Sequence, residues 1–279
     1  MNSRTPESLY GRTAAGFDGA AADYDAEEAG NLILERMRAE HWRWFERAFP
    51  VPARLLELGS GTGLEAARLA RHDRQVTLLD VSPRMLEVAA RRVEAVNPAA
   101  LLGQHLLPAS KVGELVKSYG PASFEGAYSS FGPLNCEPNL VAVAEGLGRL
   151  VKPGGRLVFS IMPPWCLSEI IWFGLHAEFA NATRRLRKST LARALPGQEQ
   201  LVETFYYRPG QVRKAFSPYF RQVRLKAFPL LWPPPYLAHL PRRWPGLFAR
   251  LGRADDRVAN RWPGLAGFGD HFLIELRRL

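Results

Sequence analysis

The sequence predicts an α/β protein built on a doubly wound, largely parallel sheet. Two observations carry that expectation. From Ala53 onward, short apolar runs alternate with amphipathic stretches of helical period, the pattern of repeated strand–helix–strand units. A glycine-rich turn, Gly59-Ser60-Gly61-Thr62-Gly63, stands where the first of these strands meets the first of these helices.

The elements follow in order. Residues 32–49 read as a helix with apolar positions on one face, including Trp42 and Trp44, and a stop at Pro50. Strands are expected over 54–58, 75–80, 99–104, 124–129 and 156–162, with helices near 63–71, 84–96, 109–119 and 140–151 between them. Lys152-Pro153-Gly154-Gly155 forms a helix stop and turn before the fifth strand. Beyond Met162 the alternation fails. Residues 163–200 read as a helical insertion rich in aromatics and arginines, and 200–207 as an extended segment. A helix over 209–219 and a sixth strand over 220–228 precede a proline-punctuated insertion, 230–266, and a last strand over 269–278. With no internal repeat or low-complexity linker, one compact unit over 51–279 is expected, its two insertions forming a cap, preceded by a helical segment over 1–50.

Composition narrows the class. The 279 residues are 47% hydrophobic and 23% charged, an ordinary globular balance. No basic, apolar leader and no long uncharged apolar run is visible, so a cytoplasmic protein is expected. Cys136 and Cys166 belong to no metal-binding spacing, and no metal site is expected. The formal charge of +10 fits a solvated basic face, an anionic substrate, an acidic carrier protein, a membrane surface or nucleic acid, and charge alone does not choose.

The glycine turn carries the functional argument. Glycines serve where φ is positive or where a ligand must approach without meeting a Cβ. The helix start behind the turn offers free N–H groups to a polar ligand. Asp80 ends the second strand about twenty residues later, where a carboxylate can accept from ribose hydroxyls. The spacing is GxGxG, not the GxGxxG of dinucleotide sites, and Glu57 stands on the strand before it. A buried acid there needs an ammonium group or other donors.

The segment Leu55-Leu56-Glu57-Leu58-Gly59-Ser60-Gly61-Thr62-Gly63 resembles motif I of the class I S-adenosylmethionine-dependent methyltransferases. Asp80-Val81-Ser82-Pro83-Arg84-Met85-Leu86 resembles their second motif. Phe17-Asp18 and Ala22-Asp23-Tyr24-Asp25 resemble the N-terminal helix that folds over their cofactor, and Leu150 to Gly155 their turn before strand five. The resemblance implies a Rossmann-like, doubly wound seven-stranded sheet with an antiparallel last strand and helical cap insertions. It implies S-adenosylmethionine as cofactor, held by Tyr24, Glu57, Gly59, Ser60, Gly61, Gly63, Asp80, Val81, Met85, Ser129 and Ser130. Where many members carry an acid after strand three that meets the adenine amine, this chain has Gln104-His105, which are given that role.

Ligands of open α/β sheets bind beyond the carboxyl ends of the strands. Strand four ends there in Ser129-Ser130-Phe131-Gly132-Pro133-Leu134-Asn135, and both insertions and Asp270-His271 are expected at the same edge. Phe131, Asn135, Trp165, Trp172 and Tyr206 are therefore assigned to the pocket of a small, bulky apolar or aromatic acceptor, natural-product or lipid-like in character. His271 is the candidate general base, with His105, Tyr24 and Tyr206 behind it.

Rival functions are an RNA-, DNA- or protein-directed methyltransferase, a nicotinamide-dependent oxidoreductase and a non-catalytic binder of S-adenosylmethionine. The (Asn/Asp/Ser)-Pro-Pro-aromatic motif of base-amine methylation does not follow strand four; Pro233-Pro234-Pro235-Tyr236 comes after strand six, and no nucleic-acid partner is expected. Arg242, Arg243, Trp244 and Phe248 suggest a basic, aromatic face for peripheral contact with an anionic membrane.

Overall fold

The computed structural model describes residues 6–195 and 199–279. Residues 1–5 and 196–198, parts of the expected N-terminal segment and first insertion, lie outside the described residues.

A seven-stranded sheet organises the molecule. Its strands are β1 (Ala53–Leu58), β2 (Arg74–Asp80), β3 (Leu101–Leu106), β4 (Phe124–Ser129), β5 (Val151–Ile161), β8 (Phe220–Phe228) and β9 (His271–Arg278), ordered β3-β2-β1-β4-β5-β9-β8. The first five run parallel, and β9 lies antiparallel between β5 and β8. The chain leaves β1 in one direction through β2 and β3 and returns through β4 and β5, so the switch point falls between β1 and β4.

Local chemistry sets the helices. Asn31 caps α3 (Leu32–Ala48) by accepting from the backbone N–H groups of Ile33 and Leu34. Gly63, left-handed at φ 75°, starts α4 (Leu64–Arg71), and Ser82 caps α5 (Pro83–Val96), whose first residue is a proline. The turn at 109–115 and α6 (Val116–Tyr119) follow β3, and α7 (Leu140–Leu150) is capped by Asn139.

Each face of the sheet carries its own core. On one, α3 lays Trp44, Phe45 and Phe49 against Tyr128 and Val158, beside the apolar sides of α4 and α5. The approach is close, because a Cβ on Gly126 would stand 2.6 Å from the Phe49 ring. On the other face, α7 and α10 (Pro209–Phe216) cover Leu56, Leu58, Phe124 and Phe159. A buried Lys226–Glu40 pair, 2.8 Å apart, fastens α3 to β8.

The N-terminal segment is helical, as expected, with α1 (Pro6–Ala20) and α2 (Tyr24–Glu28) ahead of α3. The first insertion departs from expectation. It opens with α8 (Leu167–Leu175) and α9 (Phe179–Ala182), then forms a hairpin of β6 (Ser189–Arg193) and β7 (Leu201–Phe205). β6 falls inside a stretch read as helix; pairing with β7 makes it a strand. The hairpin packs under α1, where a Cβ on Gly16 would meet Val202 at 2.7 Å. The second insertion holds α11 (His239–Arg243) and α12 (Pro245–Arg261). The two insertions meet where the Phe173 and Tyr236 rings stack and Trp172 faces His239. No helix among the described residues is long and apolar enough to cross a membrane.

Candidate functional site

The turn after β1 is left-handed at Gly59, Gly61 and Gly63, with φ of 71°, 50° and 75°. The three do different work. A Cβ on Gly59 would collide with Pro133 at 2.1 Å, and one on Gly63 with the Ala89 backbone at 2.7 Å, so these two serve packing. A Cβ on Gly61 meets nothing within 4 Å. The turn is closed beneath and open above Gly61.

Asp80 braces this opening. Its buried carboxylate accepts from the Gly61 N–H and the Ser82 N–H, each at 2.9 Å. Burial raises its pKa, and the backbone donors pull it back down. Each oxygen keeps a second acceptor position, enough for a pair of vicinal hydroxyls. Glu57 lies in the next strand, 1% exposed, with Oε2 lacking any hydrogen-bond partner. Burial, reinforced by the charges of Glu65 and Asp80, pushes its pKa well up. The Ser60 and Ser130 hydroxyls are also buried without partners.

These groups fit an adenosyl amino acid. An ammonium group answers the uncompensated Glu57 oxygen, a ribose diol answers Asp80, and the space above Gly61 admits the connecting chain.

A lid from the N-terminal segment closes over this edge. Asp18 of α1 accepts from the Ser82 hydroxyl at 2.5 Å and from the Arg84 N–H at 3.1 Å. Asp25 of α2 accepts from the Thr62 hydroxyl at 2.7 Å and pairs with Arg92. Tyr24 packs with Ala20, Ala21 and the buried Met85, and burial raises its phenol pKa. Val81, between Asp80 and Ser82, is half-buried. The lid therefore bridges the glycine turn and the turn after β2.

Beyond β4 the acceptor side takes shape. Phe131 and Gly132 are both left-handed, at φ 61° and 85°. His271, at the start of β9, turns Nε2 toward this bend, 3.4 Å from where a Cβ on Gly132 would stand. Its Nδ1 lies 2.9 Å from Asp270 Oδ2, and Nε2 is buried without a partner. Arg185, on the turn after α9, binds Asp270 Oδ1 at 2.6 Å and Glu169 at 2.5 Å. His271 and Arg185 together hold the Asp270 carboxyl below the usual carboxylate range. Cys166, Glu169 and Asp270 place potential metal-ligand atoms within 4.8 Å of one another, but the Arg185 guanidinium, bonded to both carboxylates, already supplies the cation there.

Several expected site residues are placed otherwise. β3 runs on to Leu106, so Gln104 and His105 lie within the strand and point to opposite faces. His105 is bonded to the Tyr119 hydroxyl at 2.8 Å, while Gln104 is exposed beside Pro83 and Leu86 in a groove of about 360 Å³. The two cannot meet an adenine together. Ser129 donates to the Leu58 carbonyl at 2.8 Å, tying β4 to β1. Asn135 is no pocket residue. Its amide donates to the Met162 and Phe205 carbonyls and accepts from the Met162 N–H, clamping the ends of β5 and β7. Trp165 is a surface residue. Phe248, assigned to a membrane face, is buried against Trp232.

Trp172 and Phe131, both partly buried, pack against the same core. Tyr206 bonds Thr190 at 2.9 Å and faces the Arg185 guanidinium. His41, whose ring lies 4.7 Å from that of Phe131, was not among the expected site residues. One histidine on an otherwise apolar helix face carries no signal until the fold sets it beside the bend.

Residues 55–155 match a family model described as a methyltransferase domain. A malonyl-[acyl-carrier protein] O-methyltransferase of Herminiimonas arsenicoxydans is 33% identical over 193 residues, 68% of this chain and 63% of that protein. A demethylmenaquinone methyltransferase of Tropheryma whipplei is 31% identical over 145 residues, 51% of this chain and 55% of that protein. The chain spans just over half the length of the first curated relatives it matches. Among solved structures, a 1,6-didemethyltoxoflavin-N1-methyltransferase of Burkholderia thailandensis with bound S-adenosylhomocysteine superposes at a TM-score of 0.56. It is 15% identical, and the superposition covers 100% of this chain and 92% of that one, a likeness of fold.

Proposed function

We propose that this chain, which carries a class I S-adenosylmethionine-dependent methyltransferase domain, binds S-adenosylmethionine and transfers its methyl group to a small-molecule acceptor. The observation that carries the reading is the set of buried, incompletely satisfied polar groups around the open turn, Glu57, Ser60 and Asp80 above all.

The cofactor, when bound, supplies an electrophilic methyl on a sulfonium with a good leaving group. The protein's part is placement, exclusion of water and proton handling. Gly61 gives the backbone approach, Asp80 and Glu57 fix the two ends, and the lid through Asp18 and Asp25 shuts out solvent. The bend at Phe131-Gly132 brings the acceptor alongside, with Phe131, Trp172 and Tyr206 favouring an apolar or aromatic body. His271 takes the proton that the acceptor loses. Asp270 holds the imidazole with Nδ1 protonated and stabilises the imidazolium that results.

The relatives named above act on a menaquinone precursor and on a carrier-bound malonyl group. The aromatic side chains of Phe131, Trp172 and Tyr206 support the former kind of acceptor over the latter. Calorimetry with S-adenosylhomocysteine tests the reading at its base. Binding is expected in the wild type, with a loss of at least about tenfold in Asp80→Ala. No heat from folded wild-type protein would defeat it.

Contact with an anionic membrane has support at a different place from the one expected. α8 buries only Glu169, while Ile171, Leu175 and Phe179 stand exposed, and Arg187 and Lys188, further along the same insertion, are exposed as well. Sedimentation with phosphatidylglycerol vesicles, lost in Leu175→Asp/Phe179→Asp and absent with phosphatidylcholine, is the expected result.

A further inference from the structure

We infer that His41 and His271 form a pair of hydrogen-bond acceptors that selects a methyl acceptor bearing two O–H or N–H donors. The inference rests on the methyltransferase reading and narrows its substrate class.

Each ring's tautomer follows from its partner. His41 Nδ1 lies 2.9 Å from the Met37 carbonyl oxygen. A carbonyl only accepts, so Nδ1 carries the proton and Nε2 presents a lone pair. His271 Nδ1 lies 2.9 Å from Asp270, a carboxylate that the Arg185 guanidinium also binds. It too is protonated on Nδ1 and bare on Nε2. Both Nε2 atoms are buried and lack a partner.

The two rings converge on one bend. His41 stands 4.7 Å from the Phe131 ring and 5.9 Å, edge-on, from Phe228. His271 pairs with Phe228 across β8 and β9 and turns Nε2 toward Gly132. Phe131 and Gly132, both at positive φ, follow β4, where on the methyltransferase reading the acceptor meets the methyl group.

The Arg38 guanidinium over the Phe131 ring is already paired with Glu28 and Glu65, so the two bare nitrogens decide: they reward donors and penalise anything that brings only lone pairs. A buried acceptor left unmatched forfeits a hydrogen bond and its desolvation. Burial holds His41 down to about 3, so it stays neutral at physiological pH and offers no charge to an anion. A carboxylate is thus disfavoured, and a dihydroxy- or amino-hydroxyaryl compound is favoured. In the transfer, the bond from methyl carbon to sulfur breaks with its electron pair kept on sulfur. The acceptor oxygen or nitrogen forms the new bond and gives its proton to His271 Nε2. His41 holds the second donor, which orients the ring, and is a positioning residue.

The test uses the full chain saturated with S-adenosylhomocysteine and titrates 2,3- and 1,4-dihydroxynaphthalene, 2-naphthol and 2-naphthoate calorimetrically. At least one diol is expected to bind about tenfold or more tighter than 2-naphthol, with naphthoate weakest. His41→Phe keeps the ring volume and removes the lone pair. It should cut the diol preference to below about threefold while sparing affinity for 2-naphthol and S-adenosylhomocysteine. His41→Gln, with an amide oxygen to accept, should recover part of the preference. An undiminished preference in His41→Phe, or no diol preference in the wild type, overturns the inference. Loss of S-adenosylhomocysteine binding by the wild type would instead overturn the methyltransferase reading.

Discussion

A carboxylate buried on the first strand, with one oxygen unanswered, weakens the fold that contains it. Glu57 ionises near 4.5 in the unfolded chain and only at higher pH when folded, so its contribution to stability falls as pH rises past that value. Glu57→Gln removes the uncompensated charge and keeps the shape. In scanning calorimetry at neutral pH the variant should melt higher, by about 2–4 °C for each kcal/mol regained. Its affinity for S-adenosylhomocysteine should drop by at least about tenfold, a trade of stability against binding. A variant both less stable and equally tight would contradict this account. His271→Ala should lower kcat by about 10² to 10⁴ with the affinity for S-adenosylhomocysteine intact, measured once an acceptor is in hand. Asp270→Asn should act in the same direction and shift the pH profile, since it removes the partner that stabilises the imidazolium. The sequence disclosed these acids and His271 through their place beside strands. It hid the partners that define them, for Arg185 and His41 reach the site from segments far off in the chain.

The turn after β1 separates packing from binding in neighbouring glycines. Gly63→Ala must push against the Ala89 backbone in a left-handed conformation, and unfolding by urea should show a loss of stability. Gly61→Ala meets no atom and bears only the strain of its positive φ, about 1 kcal/mol. Its larger effect should fall on affinity for S-adenosylhomocysteine, because the new methyl enters the ligand's space. Equal losses of stability in the two variants would refute the distinction. The lid offers a kinetic counterpart. Asp18→Ala frees the Ser82 hydroxyl and the Arg84 N–H, and stopped-flow displacement should show faster release of S-adenosylhomocysteine. β4 and β8 were legible to the residue, since apolar runs bounded by polar turns mark buried strands. β3 was placed two residues early, and β6 was missed. The first lies at the sheet's edge, half exposed; the second, in a short cap hairpin with β7, has no apolar run or alternation of its own.

Acid should loosen the molecule through α3. His41 is packed neutral between the sheet and the cap, with its pKa at about 3 against 6.5 unfolded. The unfolded chain therefore binds the extra proton first, and stability falls as pH drops from 6.5 toward 3, by up to ~1.4 kcal/mol per unit. His41→Phe should flatten that slope in urea titrations across the window; an identical slope would assign the acid sensitivity elsewhere. The resemblance carried by the two motifs implied a seven-stranded sheet with an antiparallel last strand, and the fold has it. The convergence of both insertions at its upper edge was expected too, but not the contacts that close it, in which Arg185 of the first insertion binds Asp270 and Phe173 stacks on Tyr236 of the second. One tether in that closure links admission to readiness. Arg185 rides on the first insertion yet binds Asp270, the partner of His271, the base proposed above. If that insertion swings aside to let an acceptor enter, the histidine loses its brace, and only its return re-arms the base.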